Sequence, residues 1–250
     1  MELTGKTAIV TGGGRDIGRH ISVKMAKMGA NVVVNYYNTE SDAEETLSMI
    51  EAVGGKGILV KADLTKMSEC QRLVDEAQKA FGDAIHILIN NAGGLVARKK
   101  LSEMDESFWD FVMDLNLKSV FMMHKLTVPH MPAGSSIVNL ASQAGRDGGG
   151  GGASAYSTSK GAVMTFTRSM AKELGPDGIR VNAVCPGLIG TTFHDTFTPD
   201  NVREMVAGKT PLRREGQPQE VADLVGCLVS ENTSFVTGAN FDINGGLAFS

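Results

Sequence analysis

Basic charge is in short supply in this sequence: 24 lysines and arginines stand against 28 aspartates and glutamates, a formal net charge of −4. No positive field is on offer for nucleic acid or an anionic membrane, and neither is expected as a partner. A small anion would have to be held locally. Cysteine is scarce too. Cys70, Cys185 and Cys227 are widely spaced and form no CxxC or Cys/His ligand pattern. That excludes a zinc-type site and suits reduced, packing thiols in a cytosolic compartment. Long apolar runs are missing: nothing approaches the roughly 20 residues that span a bilayer. The opening MELTGK has no apolar signal-peptide core. The expectation is a soluble, cytoplasmic protein that needs no metal.

What is present is ordinary globular stock: 250 residues, 42% hydrophobic and 21% charged, enough for a substantial core without staples. Short apolar runs alternate with amphipathic segments. Residues 7–11, 31–35, 57–62 and 85–90 read as strands, separated by helices over about 17–27, 41–53 and 67–81. The second half continues with a long helix in 105–129, a strand at 136–141, a helix over 156–174 and a strand at 180–185. A helix at 219–229 and a short strand at 240–243 complete it. β-branched runs of this length suit parallel strands covered on both faces. The alternation predicts an α/β fold, a Rossmann-type doubly wound parallel sheet of about seven strands with helices on both faces.

The first strand runs into Thr11-Gly12-Gly13-Gly14-Arg15-Asp16-Ile17-Gly18. Glycines let the backbone approach a pyrophosphate, and the helix that follows offers free N–H groups and a positive dipole. A glycine-rich turn alone is weak evidence; after the first strand of an alternating chain it points to a dinucleotide.

The chain resembles the classical short-chain dehydrogenase/reductases over essentially its whole length. The motifs that carry this are Thr11–Gly18, Asp63-Leu64, Asn90-Asn91-Ala92-Gly93, Asn116, Ser142, Tyr156-x-x-x-Lys160 and Pro186-Gly187. One departs from the pattern: Asp16 stands where the family has glycine. A carboxylate beside a pyrophosphate is repulsive unless it turns away or pairs with Arg15 or Arg19, and capping of the following helix is one use for it. The resemblance implies cofactor contacts at Thr11, Gly12, Gly14, Arg15, Asp16, Ile17, Gly18, Tyr36, Asp63, Leu64, Asn91, Ala92, Gly93, Tyr156, Lys160, Pro186, Gly187, Ile189 and Thr191. NAD-preferring relatives carry an acid at the position of Tyr36, and Arg15 resembles an NADP-binding residue. NADP(H) is therefore favoured, with NAD(H) kept open because Glu40 lies near and a second arginine is absent.

Tyr156 and Lys160, four apart, project from one helix face. A tyrosine with a pKa near 10 is a poor base at neutral pH, and a neighbouring ammonium favours its phenolate. Ser142 is placed to donate to a substrate carbonyl. Asn116 resembles the family's helix-kinking residue, which holds a water in the proton relay. The implied reaction is reversible hydride transfer between nicotinamide and a carbonyl carbon.

For the substrate, Arg98, Lys99, Lys100 and Arg146 bring cations near the site, with Gln143, Gly149 and His194 as further contacts. Such a cleft suits a small carboxylate-bearing or hydroxylated carbonyl. "GGLVARK", "AGRDGGG" and "GTTFHDTF" look like reductases of alginate-derived keto-uronates such as 4-deoxy-L-erythro-5-hexoseulose uronate. A 3-oxoacyl-[acyl-carrier-protein] reductase and a non-catalytic dinucleotide sensor are the competing readings. The resemblance also implies a homo-oligomer, a 222-symmetric tetramer. Residues 192–209 read as a mobile lid. Five consecutive glycines, 148–152, would ordinarily mark a linker, but they fall between Ser142 and Tyr156. They are expected to form a wall of the cleft, within a single domain spanning residues 1–250.

Overall fold

The computed structural model describes residues 2–249. Seven parallel strands form one sheet in the order β3-β2-β1-β4-β5-β6-β7. They are β1 Thr7–Val10, β2 Asn31–Tyr36, β3 Lys56–Lys61, β4 Ile87–Asn90, β5 Ser136–Leu140, β6 Arg180–Pro186 and β7 Asn240–Ile243. Alternation within each strand divides the core in two. Val32, Val34, Ile87 and Ile89 face helices α1 (Asp16–Lys27), α2 (Glu40–Ala52) and α10 (Pro218–Val229). Ile9, Val33, Leu88 and Ile137 face α3 (Met67–Phe81), α5 (Ser119–Thr127) and α7 (Ser154–Leu174). The predicted sheet and its two helical layers are therefore present.

Strand order reverses between β1 and β4, and the crevice of an open parallel sheet lies at the carboxyl ends of such strands. Thr11 and Asn91 follow directly on β1 and β4, and Ser142 comes two residues after the end of β5. The fold thus gathers motifs scattered over some 130 residues onto one edge of the sheet.

One expectation needs correction. The long helix over 105–129 is divided into α4 (Glu106–Met113), a π-helical segment Asp114–Lys118 and α5. Asn116, the residue that the resemblance makes a helix-kinking one, lies inside that π-helical segment. The segment 192–209, read as a lid, consists of two helices, α8 (Thr192–Phe197) and α9 (Asp200–Lys209). Arg203 holds them together, pairing with Asp195 on α8 and with Glu215 beyond α9, where Nη2 lies 2.7 Å from Oε2. The glycine run is fastened to the loop that carries Arg98 and Lys99. It follows a short helix, α6 (Ala144–Asp147), and its carbonyls at Gly151 and Gly152 accept from Arg98 Nη1 (3.0 Å) and the Lys99 amide (3.0 Å). Gly148, Gly149 and Gly152 have φ of +86°, +68° and +75°, the left-handed region that glycine enters freely.

Candidate active site

The glycine turn is built as a rigid cradle. Gly12, Gly13 and Gly14 follow β1. The Gly12 amide donates to Asn35 Oδ1 (3.1 Å), and Asn91 Nδ2 donates to the carbonyls of Thr11 (3.1 Å) and Gly12 (2.9 Å). The Thr11 hydroxyl accepts from the amides of Asn91 and Ala92, both at 3.0 Å. Gly18, on the first turn of α1, is as close to this cradle as a residue can be. A Cβ there would stand 2.0 Å from the Gly12 carbonyl oxygen. Thr46 and Arg19 brace the far side: the Thr46 hydroxyl donates to the Gly14 carbonyl at 2.6 Å, and Arg19 Nε donates to Thr46 Oγ1 at 3.1 Å. Asn35, Arg19 and Thr46 are functional supports that motif reading passes over, since their partners lie 23 or more residues away.

Asp16 does not cap its own helix. Arg15 occupies the N-cap position of α1, with no side-chain cap bond. Asp16 sits at φ +49°, and its carboxylate accepts from the Thr192 amide (3.0 Å) and the Thr192 hydroxyl (2.5 Å). Arg15 Nε lies 3.8 Å from the same carboxylate, and its side chain is 60% exposed.

Around the adenosine end, Tyr36 is buried near Glu40 and Glu44. Burial first, then the Glu40 and Glu44 carboxylates, raise its phenol above the ordinary value. Burial would also raise the Asp63 carboxyl, but hydrogen bonds from Thr65 and the Lys66 ammonium outweigh it and hold it below the usual range. Leu64 and Ile189 contribute their side chains to the core. Pro186 closes β6, and Gly187 donates its amide to Ile243 (3.1 Å). Ile17 packs at the edge of the core, and Thr191 is buried at the N-cap of α8.

The remaining motif residues converge beside this cradle. Ser142 Oγ accepts from the Ala144 amide at 3.1 Å, which leaves its proton free to donate. Burial pushes the Tyr156 phenol up, and the neighbouring Ser142 hydroxyl partly counters it. Lys160 is only 4% exposed. Its Nζ lies 5.9 Å from the Tyr156 ring centre and donates to the Leu140 carbonyl at 2.6 Å. Burial lowers its ammonium to about 8. The expected charge of Lys160 is therefore marginal just above neutrality.

Asn116 lies in the π-helical segment, fully buried. It exchanges two hydrogen bonds with the Gly94 backbone, both 2.9 Å, and donates to Val112 O at 3.0 Å. Its side chain is thus spent on the loop after β4, leaving no side-chain donor for the expected water. At Gly93 a Cβ would stand 2.6 Å from Asn116 Oδ1 and 3.2 Å from Lys160 Nζ, so the glycine there is what lets these two groups come together.

The substrate side differs from expectation at Arg146. Its Nε pairs with Asp242 at 2.5 Å and its Nη2 donates to Asn240 O at 2.7 Å. That guanidinium holds β7 and is removed from the cations open to a substrate. Lys99 is committed to Asp105 and to the Phe108 ring. Arg98 differs: it is exposed, touches only the carbonyls of Gly151 and Phe197, and has no carboxylate partner among the described residues. Gln143 binds Asp147 through Nε2 (2.9 Å), while its Oε1 is buried beside Gly187 with no donor among the described residues. Gly149 turns the loop, its amide on Asp147. His194 on α8 bonds Thr198 Oγ1 at 3.0 Å; burial, then the Arg203 charge, lower its pKa. Phe193 stands 6.0 Å from Tyr156, ring centre to ring centre, so α8 roofs the tyrosine. No cluster of three or more metal-ligating side chains occurs among the described residues, and no helix is long and apolar enough to cross a membrane.

A family model described as enoyl-(acyl carrier protein) reductase matches residues 12–248. The uncharacterized oxidoreductase YhxC of Bacillus subtilis is 39% identical over 98% of this chain and 85% of its own. A 3-oxoacyl-[acyl-carrier-protein] reductase of Staphylococcus aureus is 36% identical over 99% of both chains. Among solved structures, a Serratia marcescens short-chain dehydrogenase/reductase superposes with a TM-score of 0.94 at 32% identity, covering 100% of both chains. An NADH-dependent reductase responsible for alginate metabolism gives 0.89 at 35%, covering 99% of both. The chain belongs to the short-chain dehydrogenase/reductase family and is an NAD(P)-dependent oxidoreductase.

Proposed function

We propose that the chain, as a single domain, catalyses reversible reduction of a small carboxylate-bearing or hydroxylated carbonyl, a keto-uronate such as 4-deoxy-L-erythro-5-hexoseulose uronate being the leading substrate. The observation that carries the chemistry is the convergence of Ser142, Tyr156 and buried Lys160, whose Nζ lies 5.9 Å from the Tyr156 ring centre. Bound dinucleotide supplies or accepts the hydride. Ser142 directs its proton at the carbonyl oxygen and Tyr156 delivers a proton to that oxygen; in oxidation the phenol takes it back. The raised Tyr156 pKa keeps the phenol protonated at neutral pH, as an acid for reduction requires. Lys160 and Asn116, packed together at Gly93, hold the base of this group, and Lys160 is placed to bind the nicotinamide ribose.

The structure fits a dinucleotide by the side-chain-free cradle at Gly12, Gly14 and Gly18. It also fits by the buried, unpartnered Gln143 Oε1, an acceptor suited to a ligand amide or hydroxyl. NADP(H) remains favoured over NAD(H). Asp16 is taken up by Thr192, so Arg15 keeps an exposed guanidinium for a 2′-phosphate. Tyr36 lies near Glu40 at the other side. Arg15→Ala is expected to weaken NADPH binding by about 10- to 100-fold, the value of a charge-assisted contact, while NADH binding changes little. Titrations of nicotinamide fluorescence check this, and equal losses for both cofactors would count against the assignment.

Arg98 supports an anionic substrate, being an exposed guanidinium between the glycine loop and α8 with no carboxylate partner among the described residues. Arg98→Ala should raise KM for a keto-uronate about tenfold more than KM for a neutral carbonyl, any part common to both reflecting the lost bond to Phe197. Turnover is best screened by NADPH and NADH oxidation with keto-uronates, neutral sugars and 3-oxoacyl thioesters. Preference for the thioester would favour the acyl-carrier reading, for which the Staphylococcus relative is the support. The exposed Trp109, Phe111 and Phe121 on α4 and α5 support a homo-oligomer, with the tetramer as the family's form.

A further inference from the structure

The most unusual contact in the molecule joins residues 176 apart. Asp16 lies in the glycine turn and Thr192 opens the lid, yet the carboxylate takes both donors of Thr192, amide and hydroxyl. Asp16 does so at φ +49°, a conformation that non-glycine residues adopt at some cost and keep when surrounding bonds hold it. The lid itself is stiff, because Arg203 ties Asp195 to Glu215. Its first helix, α8, is held at both ends: Asp16 grips Thr192, and Arg98 Nε donates to the Phe197 carbonyl at 3.1 Å. Between these anchors Phe193 covers Tyr156.

We infer that Asp16 is a positioning residue that straps the lid across the dinucleotide crevice and sets the rate at which cofactor enters and leaves. Thr192 is bonded to the glycine turn itself, so a pyrophosphate seated on residues 12–18 would lie beside the Asp16–Thr192 bonds. Because Arg203 ties α8 to α9 and both to Glu215, releasing Thr192 frees the N-terminal end of α8 while Arg98 and Glu215 keep the rest of the lid in place. Releasing Thr192 also lifts Phe193 from Tyr156, and so opening for cofactor exchange uncovers the catalytic tyrosine. The inference rests on the glycine turn being the seat of the cofactor pyrophosphate.

Two measurements on the full-length protein test it. Hydrogen exchange of peptides from 192–209, without cofactor, reports the strap itself. Stopped-flow dissociation of NADPH, followed by nicotinamide fluorescence, reports its consequence. Asp16→Gly removes the carboxylate and suits a left-handed φ, so folding is preserved. It should speed lid exchange and raise the dissociation rate, each by on the order of tenfold, the worth of a lost charged hydrogen bond. Asp16→Asn, which keeps one acceptor oxygen, should fall between, and Thr192→Val, which loses the hydroxyl alone, should reproduce part of the effect. Unchanged lid exchange in Asp16→Gly overturns the strap. Slower dissociation in that variant also overturns it, since this is the sign expected if the carboxylate merely repels the pyrophosphate. Failure of the wild type to bind NADPH or NADH would instead sink the cofactor reading and the gating role with it, a result separable from unchanged lid exchange.

Discussion

Tyr156→Phe is expected to reduce turnover by on the order of a thousandfold, within the range attributed to a positioned general acid or base, while the dinucleotide dissociation constant moves less than threefold. The substitution deletes one oxygen. It leaves the ring in its place beneath Phe193, and it leaves Lys160 with its bond to the Leu140 carbonyl. Ser142 keeps the Ala144 amide, so the oxygen-binding corner survives without the phenol's proton. A loss of this size is about 4 kcal/mol of barrier. The pH profile adds a second readout. Lys160, lowered by burial to about 8, is cationic below that pH and neutral above it. Its favourable effect on phenolate is therefore present at lower pH and fades as pH rises through 8, and wild-type kcat in the oxidative direction should bend there. Retention of a tenth or more of wild-type activity by the phenylalanine variant would remove Tyr156 from the mechanism.

Gly18→Ala should instead damage cofactor binding, which Tyr156→Phe spares. Alanine improves helix propensity by about 1 kcal/mol, and in an open helix it would stabilise. Here its Cβ would meet the Gly12 carbonyl oxygen at 2.0 Å and Asn91 Nδ2 at 2.7 Å. Neither is the free end of a flexible chain. The turn must move, and Asn91 must give up its bonds to Thr11 and Gly12, each worth about 1 kcal/mol. Overpacking adds about 1–3 kcal/mol more. The steric side wins, so the expected result is a Tm lower by roughly 5–10 °C, at about 2–4 °C per kcal/mol for a chain of this size. NADPH affinity should fall at least a hundredfold. Calorimetry and fluorescence titration measure both; an unchanged Tm with unchanged affinity would show the cradle to be pliable.

The sheet was legible because β-branched runs such as Val32–Val34 and Ile87–Ile89 have no other stable use in an alternating chain. Helix α3 and strand β7 lie where periodicity puts them. Legibility failed where order depends on a distant partner. Arg146 reads as a cation near the site until Asp242, 96 residues on, is seen to hold it. The segment 192–209 reads as a lid because it follows a stretch, 186–192, that resembles the family's loop over the nicotinamide. Its two helices are joined by one arginine bridging two carboxylates, a contact with no signature in local sequence. Asp16 is the sharpest case. Its neighbours suggested an ordinary helix cap, and its true partner is a threonine near the far end of the chain. For the site, residue types were readable from motif spacing, whereas what each side chain is already bonded to was not.

The reversed strand order has a temporal consequence. β1 pairs on one side with β4, and the Thr11 hydroxyl that shapes the cradle is bonded by Asn91 and Ala92, some eighty residues downstream. At synthesis rates of about 5–20 residues per second, the glycines emerge on the order of ten seconds before the strand that completes their seat. During that interval β1 presents an open edge, a hazard that parallel pairing between distant segments imposes on folding. A nascent chain that stops short of residue 90 carries the whole glycine signature and no place to hold a dinucleotide.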